Sequence, residues 1–295
     1  MNKKILIIIV LFFQSCLINE EENPLFTTKI YNGKYYDLIK ECDNENLDKI
    51  SEISRNNNLQ LNHADLKNGL SLLNWCLLNK KIKSFERLLE LGADPNWQDY
   101  YGKFAPPIIE ASKLYTTRYL ELCLKYKGNS NLFTSKGIGS ENHNPLLGSI
   151  YPFNYMDNLK LLIKAGADVN QYLDTLQESL LADAIETRQM EKVMYLLENE
   201  ADFNDLKIRR GGVIYDRSKS LILDSNDNPV IKYEEKINIL EMLREINFEL
   251  DSKEYILKVE IITFLKSKGL DYKKYPIPKF VREKYKDNVY YLENY

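Results

Sequence analysis

The chain has 295 residues, of which 44% are hydrophobic and 28% are charged, and its formal net charge is −3. A chain of this length can bury a substantial core, and its composition shows none of the bias typical of disordered proteins. The slight acidic excess argues against a nucleic-acid-binding protein, which needs basic patches. A globular or solenoidal protein is therefore expected.

The first twenty residues predict export. Lys3 and Lys4 precede an apolar run at 5–13, and the small residue Ser15 comes directly before Cys16. Nine apolar residues are too few to cross a bilayer, so the segment is typical of a secretory signal. Phe-Gln-Ser-Cys resembles a relaxed bacterial lipoprotein signal. This resemblance implies removal of the signal peptide, residues 1–15, and lipidation of Cys16.

A lipidated Cys16 would anchor the mature chain to a membrane, since each buried CH₂ group contributes about 0.8 kcal/mol and several acyl chains act together. Residues 16–34 would then form a tether. The expected location is the bacterial cell envelope, facing the periplasm or the cell surface, and the sequence does not distinguish inner from outer membrane. Phe13 and Gln14 depart from the usual lipoprotein pattern, so secretion without lipid is the alternative.

A short motif recurs along the chain. Leu-Gly-Ala-Asp-Pro-Asn at 91–96 returns as Ala-Gly-Ala-Asp-Val-Asn at 165–170. Weaker copies end at Asn131 and Asn204, so the final asparagines are 35, 39 and 34 residues apart. Periods of this size are typical of helical arrays.

The residues of the first complete unit predict two helices and a turn. Its apolar residues fall into two stripes with i, i+3, i+4 spacing, Leu73, Cys76, Leu77 and Phe85, Leu88, Leu89. Gly92 stands where the second helix must end, and Asp94 and Asn96 can hydrogen-bond nearby backbone in the turn. The unit resembles the ankyrin repeat, which implies antiparallel helix pairs separated by projecting turns.

Four such units and a diverged N-terminal cap account for residues 35–204. Unit two keeps the turn only loosely, with Lys127 and Gly128, and unit four has Glu200 in place of the helix-ending glycine. The resemblance implies a mainly α fold, an ankyrin-repeat solenoid of stacked helix pairs. Terminal units need one polar face, so a diverged cap is expected.

Residues 205–295 break the period and form a divergent C-terminal repeat or cap region. Two short apolar runs, 221–223 and 230–233, flank turn residues and predict a β-hairpin insertion. Helical stripes return, and the second is assigned to Ile256, Val259, Phe264 and Leu265. A final helix carrying Val281, Tyr285 and Val289 would close the stack, whether or not the region is a true repeat.

No residue pattern predicts an active site. His63 and His143 are the only side chains that normally titrate near neutral pH, and neither accompanies a nucleophile elbow or paired zinc-ligand spacing. Residues 224–235 approach a calcium loop, but Pro229 stands where glycine is required. The chain is therefore predicted to be no enzyme and to need no metal or cofactor.

Aromatic residues in the turns between units are the candidate binding residues: Trp97, Tyr100, Tyr101, Phe133 and Tyr172. Aromatic side chains are favoured anchors of protein interfaces because they bury much area at little entropic cost. The same rings could instead stack between turns and stiffen the array, and the sequence leaves both possibilities open. The loop 133–143 is a second candidate surface.

These observations predict a binding module that is anchored outside the cytoplasm and monomeric when unbound. Its partner would be another protein and not nucleic acid. Similarity to exported ankyrin lipoproteins implies an immunity protein that neutralises a secreted toxic effector. An envelope scaffold or stress-related lipoprotein is the alternative, and an enzyme in the C-terminal region is the least favoured hypothesis. The sequence does not identify the partner.

Overall fold

The computed structural model describes residues 28–65, 69–98, 104–134, 144–150, 155–171, 179–204, 206, 212–213, 231–232 and 238–295. The chain divides into two compact units, 1–141 and 142–295. Cys16, the signal segment and most of the tether lie outside the described residues, as do Tyr100, Tyr101 and Tyr172.

Helix pairs make up the described part of the first unit. They are α1 (Lys34–Asp43) with α2 (Leu47–Asn56), α3 (Leu72–Leu78) with α4 (Ile82–Glu90), and α5 (Pro107–Ser112) with α6 (Arg118–Lys125). The first helix of one pair packs on the first helix of the next, and the second on the second. The unit is therefore a stack, as the repeat pattern predicts.

Local sequence explains where these helices begin and which face they bury. Ser71 caps α3, because its Oγ accepts a hydrogen bond from the Asn74 N–H at 3.0 Å. Pro107 begins α5, where its missing N–H has no helical partner to lose. Both predicted stripes of the first complete repeat are buried, and Trp75 joins them in the core.

The second unit continues with helix pairs and a short sheet. Its elements are α7 (Pro145–Ile150), α8 (Asp157–Lys164), α9 (Leu180–Glu186), α10 (Met190–Glu198), β1 (Gly212–Val213), β2 (Ile231–Lys232), α11 (Ile239–Glu245), α12 (Lys253–Ser267), α13 (Lys279–Lys284) and α14 (Val289–Asn294). β1 and β2 pair antiparallel, with Gly212 opposite Lys232. The mainly α fold of stacked helix pairs is confirmed. Of the two runs predicted to form the hairpin, 230–233 contains β2, whereas the strand that pairs with it is β1 at 212–213 and not the run at 221–223, which lies outside the described residues.

The region after the hairpin contains a further helix pair. Helix α11 packs on α9 and α12 packs on α10, which repeats the first-on-first and second-on-second arrangement. The predicted stripe of α12 is wrong in part, since Ile256 and Val259 are 52% and 41% exposed. The helix instead buries Lys258, Ile261 and Leu265.

Two short helices replace the single predicted final helix. A turn that ends at Asn288 separates α13 from α14. The Oδ1 atom of Asn288 accepts a hydrogen bond from the Tyr291 N–H at 2.9 Å. This is an N-cap, which starts a new helix after a turn. The break lets both Val281 and Tyr291 reach the same small core.

Candidate functional site

In four of the helix pairs, the second helix ends in the same backbone turn. A left-handed residue occupies one equivalent position in each: Gly92 at φ 102°, Lys127 at 67°, Gly166 at 85° and Glu200 at 67°. The next residue donates its N–H to the carbonyl five positions back, as in Ala93 to Leu88 at 2.9 Å and Ala201 to Leu196 at 3.0 Å. These paired features are typical of helix C-termini that close with a left-handed residue.

Unit two keeps this turn in the register that its final asparagine, Asn131, predicts. Lys127, and not Gly128, takes the left-handed position. Gly128 occupies the position of Ala93, and its N–H donates to the Cys123 carbonyl at 2.7 Å. A Cβ at Gly128 would lie 2.6 Å from that carbonyl oxygen, so close approach is what requires glycine here.

An acidic or amide side chain holds each projecting turn together, as predicted. Asp94 Oδ1 accepts a hydrogen bond from the Asn96 N–H at 2.8 Å, and Asp168 Oδ1 accepts one from the Asn170 N–H at 2.9 Å. Asp202 does the same for Asn204 at 2.9 Å. Each side chain thus replaces a backbone partner inside its own turn.

The final asparagines also clamp one turn to the next. Asn96 Oδ1 accepts a hydrogen bond from the Asn129 N–H at 2.7 Å, while its Nδ2 donates to the Lys127 carbonyl at 3.0 Å. Asn170 makes the equivalent pair of bonds to Asp202 N–H at 2.8 Å and the Glu200 carbonyl at 3.1 Å. We call these contacts the asparagine clamps. The sequence interpretation confined the asparagine to its own turn and missed this role.

The turns following the first two repeats are tied together beyond the clamp. Thr134 Oγ1 donates to Gln98 Oε1 at 2.6 Å, and Gln98 Nε2 donates to the Phe104 carbonyl at 3.1 Å. Next to these polar bonds, Trp97 is half-buried and Phe133 is 42% exposed. Within the described residues, neither ring stacks on another aromatic ring. We call Trp97, Gln98, Phe133 and Thr134 the turn face.

His63 packs among aromatic side chains near the N-terminal cap. Its ring lies parallel to that of Tyr35, with centroids 3.6 Å apart, and at 6.5 Å from Tyr31. Tyr35 in turn donates to the Gln60 carbonyl at 3.1 Å. This contact set is that of a packing residue, and His143 lies outside the described residues.

Across the described ranges, no three His, Cys, Asp or Glu side chains come together in a way that could hold a metal ion. No helix found there combines the length and apolar character needed to span a bilayer.

A buried lysine joins two pairs of the second unit. Lys192 is 1% exposed, and its Nζ donates to the carbonyls of Ser149 at 2.8 Å and Ile150 at 2.6 Å. These carbonyls belong to the end of α7, where a cation is favourable. Burial lowers the pKa of Lys192 to about 8.

Two more buried cations hold the C-terminal helices. Arg244 donates through its guanidinium to the carbonyls of Tyr295 at 2.5 Å and Tyr272 at 3.1 Å. Lys258 Nζ donates to the Ile246 carbonyl at 2.7 Å and lies 4.1 Å from the centre of the Tyr295 ring. Burial, together with the positive charge of Arg244, lowers the pKa of Lys258 to about 7. We call Arg244, Lys258, Tyr272 and Tyr295 the C-terminal cation cluster.

The sequence matches no protein-family model and no curated protein. It is similar in structure to the ankyrin repeat domain of human ASB11, with 17% identity over 57% of this chain and 70% of that one, at a TM-score of 0.44. The ankyrin repeat protein EF0377 shows 24% identity over 63% and 87%, at 0.45. The ankyrin repeat domain of Bcl-3, a member of the IkappaB family, shows 18% over 57% and 73%, at 0.47.

Proposed function

We propose that the chain is a protein-binding module and that the turn face contacts its partner. The observation that carries this proposal is Phe133, a large ring that is 42% exposed at the end of a turn whose backbone is held by the preceding one. A contact surface that is already ordered loses little conformational entropy on binding. Aromatic anchors on a rigid backbone are the residues that most often dominate interface energetics.

We propose further that the module acts outside the cytoplasm as an immunity protein. The basic start at Lys3 and Lys4, the apolar run at 5–13 and Cys16 support this location. Neutralising a secreted toxic effector requires tight capping of another protein, which a preorganised turn face can supply. Growth of cells that express an effector encoded beside this chain should be rescued by the intact protein.

The experiment compares single substitutions in the full chain. Phe133→Ala and Trp97→Ala should each weaken retention of the partner from an envelope extract by about fivefold or more, since truncating a central aromatic typically costs over ~1 kcal/mol. Tyr115→Ala is the matched control, because Tyr115 is 69% exposed but lies between α5 and α6. The thermal midpoint of Phe133→Ala should stay within about a degree or two of the parent.

Equal loss of retention in the Tyr115 and Phe133 variants would contradict the proposal. A loss of thermal stability in Trp97→Ala without any loss of retention would assign that ring to stiffening of the array. Cys16→Ser tests the location independently: the protein should leave the membrane fraction, and unchanged fractionation would overturn the lipid anchor.

A further inference from the structure

The chain between residues 266 and 290 has a charge opposite to that of the protein as a whole. It contains eight basic and three acidic residues, while the full chain carries −3. All eight basic side chains are exposed: Lys266, Lys268, Lys273, Lys274, Lys279, Arg282, Lys284 and Lys286. We call these eight exposed side chains, which are grouped along the sequence, the basic surface. Such a concentration of one sign creates an attractive field for anions.

Among the residues that the structure describes, little of this charge is neutralised. Lys279 lies 3.6 Å from Glu283, and these two side chains are 82% and 67% exposed. Lys268 and Lys284 lie over the rings of Phe264 and Tyr285, at 5.3 and 4.7 Å from their centres. A solvent-exposed ion pair and contacts with neutral rings leave the net positive charge available to a partner.

Apolar side chains are exposed on the same two short helices. Phe280 is 49% exposed, Val289 63% and Tyr290 69%. Their chain neighbours Val281 and Tyr291 are 0% and 2% exposed and pack together with Tyr295. Helices α13 and α14 thus have a core of their own, and Phe280, Val289 and Tyr290 are not part of it.

Further contacts fix these helices in place. Tyr291 donates its hydroxyl proton to the Phe248 carbonyl at 2.8 Å, and Tyr285 stacks on Tyr291 with ring centres 3.6 Å apart. Tyr255 donates to the Asn294 carbonyl at 2.5 Å. The exposed residues are therefore presented by an ordered support and do not need to fold on contact.

We propose that the basic surface, together with Phe280, Val289 and Tyr290, docks on a phospholipid bilayer that carries anionic headgroups. Clustered lysines are attracted to such a surface, and aromatic and aliphatic side chains beside them can enter the headgroup region. Seven of the eight basic residues are lysine. Lysine acts as a point charge, whereas specific recognition of bases and phosphates favours the planar fork of arginine. This favours a lipid surface over nucleic acid.

This docking does not depend on the turn face or on lipidation of Cys16. A single weak membrane attachment is reversible, and a second one acting on the same chain increases retention. The basic surface would hold the C-terminal helices against the bilayer whether or not an acyl chain is present.

Vesicle sedimentation tests the proposal with the full-length Cys16→Ser protein, in which the apolar run at 5–13 is the same in every variant. The probes are phosphatidylcholine vesicles with and without about 30% phosphatidylglycerol, a composition chosen to approach the anionic content of a bacterial membrane. Lys273→Gln, Lys274→Gln and Lys286→Gln are combined in one variant. The matched control combines Lys34→Gln, Lys40→Gln and Lys83→Gln, which removes the same charge from exposed positions in the first unit.

The parent and the control should bind anionic vesicles equally, and binding should weaken with added salt. The variant in the basic surface should lose roughly a hundredfold in vesicle affinity, since each lysine near the membrane contributes about a factor of five. Phe280→Ser should lose several-fold while its salt dependence stays unchanged. Circular dichroism melts confirm that the exposed substitutions leave the fold intact.

Three results would overturn the proposal. One is equal vesicle affinity for the two triple variants. Another is binding to phosphatidylcholine vesicles that matches binding to anionic ones. The third is salt-sensitive retention on a heparin column without sedimentation by vesicles, which would assign the surface to a soluble polyanion.

Discussion

The repeats and the C-terminal helices build similar helix pairs with different chemistry at the joints. In the repeats, a neutral amide such as Asn96 bridges neighbouring turns through two hydrogen bonds. After the hairpin, Arg244 and Lys258 reach main-chain carbonyls from a buried position, with tyrosine rings around them. A half-buried neutral amide that keeps its hydrogen bonds loses little on folding, whereas a buried cation must recover its lost hydration through hydrogen bonds and ring contacts.

This difference concerns how one helix pair is joined to the next. An asparagine clamp joins one turn only to the next turn along the chain and can recur at every period. The C-terminal cation cluster joins Arg244 on α11 to Tyr272 and Tyr295, which lie 28 and 51 residues away. It is specific to one place and one set of partners. The repeat joint is therefore modular, and the terminal joint is not.

The largest expected effect comes from breaking the terminal joint. Arg244→Ala should lower the free energy of unfolding by about 3 kcal/mol, because it leaves buried carbonyls without charge-assisted hydrogen bonds. Urea unfolding followed by circular dichroism measures the change. Arg282→Ala is the control, since Arg282 is exposed and its removal should change stability by less than about 0.5 kcal/mol. Similar losses in both variants would show that the cluster does not hold the cap.

Raising the pH should increase the free energy of unfolding through Lys258 of the same joint. The pKa of Lys258 is about 7 in the folded chain against an ordinary value of 10.5. Above pH 7 the unfolded chain therefore binds more protons at this lysine, and stability rises with pH, by at most about 1.4 kcal/mol per pH unit. The gain continues until the unfolded lysine itself loses its proton, so the useful range is pH 7 to 9.5.

Other groups titrate in this range, so comparison with the variant Lys258→Met isolates the part of the pH dependence of stability that comes from Lys258. Urea midpoints of the parent should increase more steeply with pH than those of the variant, because methionine removes the buried charge and keeps an unbranched chain. Parallel pH profiles for the two proteins would contradict the assignment of the shift to Lys258.

Removing an asparagine clamp should have a smaller effect. Asn96→Ala loses two hydrogen bonds to the next turn and should reduce stability by about 2 kcal/mol. Asn96→Asp keeps the acceptor but sets a carboxylate oxygen against the Lys127 carbonyl and Asp94 Oδ1, to which Asn96 Nδ2 donates at 3.0 and 2.9 Å, so it should be no more stable than the alanine variant. Thermal melts rank the three proteins, and an aspartate variant as stable as the parent would show that the two-point contact is not the cause.

The smallest expected effect on stability comes from the residue that takes the left-handed conformation in each repeat turn. Glu200 has φ 67° where Gly166 has φ 85° in the preceding repeat. A residue with a Cβ costs about 1 kcal/mol or more in this conformation, so Glu200→Gly should stabilise the chain by a similar amount. Gly166→Ala should destabilise it by about as much. In thermal melts, the midpoint should rise for Glu200→Gly and fall for Gly166→Ala. Shifts in the same direction for both variants would contradict the assignment of these differences to backbone strain.

The sequence predicted the parts of this fold that depend on nearby residues. Leu88 and Leu89 share a stripe because of helical periodicity, and Asp94 bonds to Asn96 two residues later. The clamp from Asn96 to Asn129 was missed because its partners are 33 residues apart, although the recurrence of asparagine at Asn62 gave a signal. Asn62 Oδ1 accepts a hydrogen bond from the Asp94 N–H at 2.8 Å.

The C-terminal cluster was beyond sequence reasoning for a physical reason. A lysine in a helix normally lies on the solvent face, so the sequence pattern assigns Ile256 and Val259, and not Lys258, to the core stripe of α12. Burial of Lys258 depends on Ile246 and Tyr295 being nearby, which no local pattern encodes. The binding role of Trp97 and Phe133 stays a prediction, as does that of Tyr100, Tyr101 and Tyr172, which lie outside the described residues.

Site-specific photo-cross-linking tests the turn face most directly. A photoreactive phenylalanine analogue is placed at Phe133 in one protein and at Tyr115 in another, both exposed aromatic positions of the first unit. After irradiation in cells that produce the partner, the Phe133 protein should form a discrete higher-mass adduct with one protein, and the Tyr115 protein should not. An adduct from Tyr115 alone, or equal adducts from both positions, would contradict the assignment of binding to the turn face.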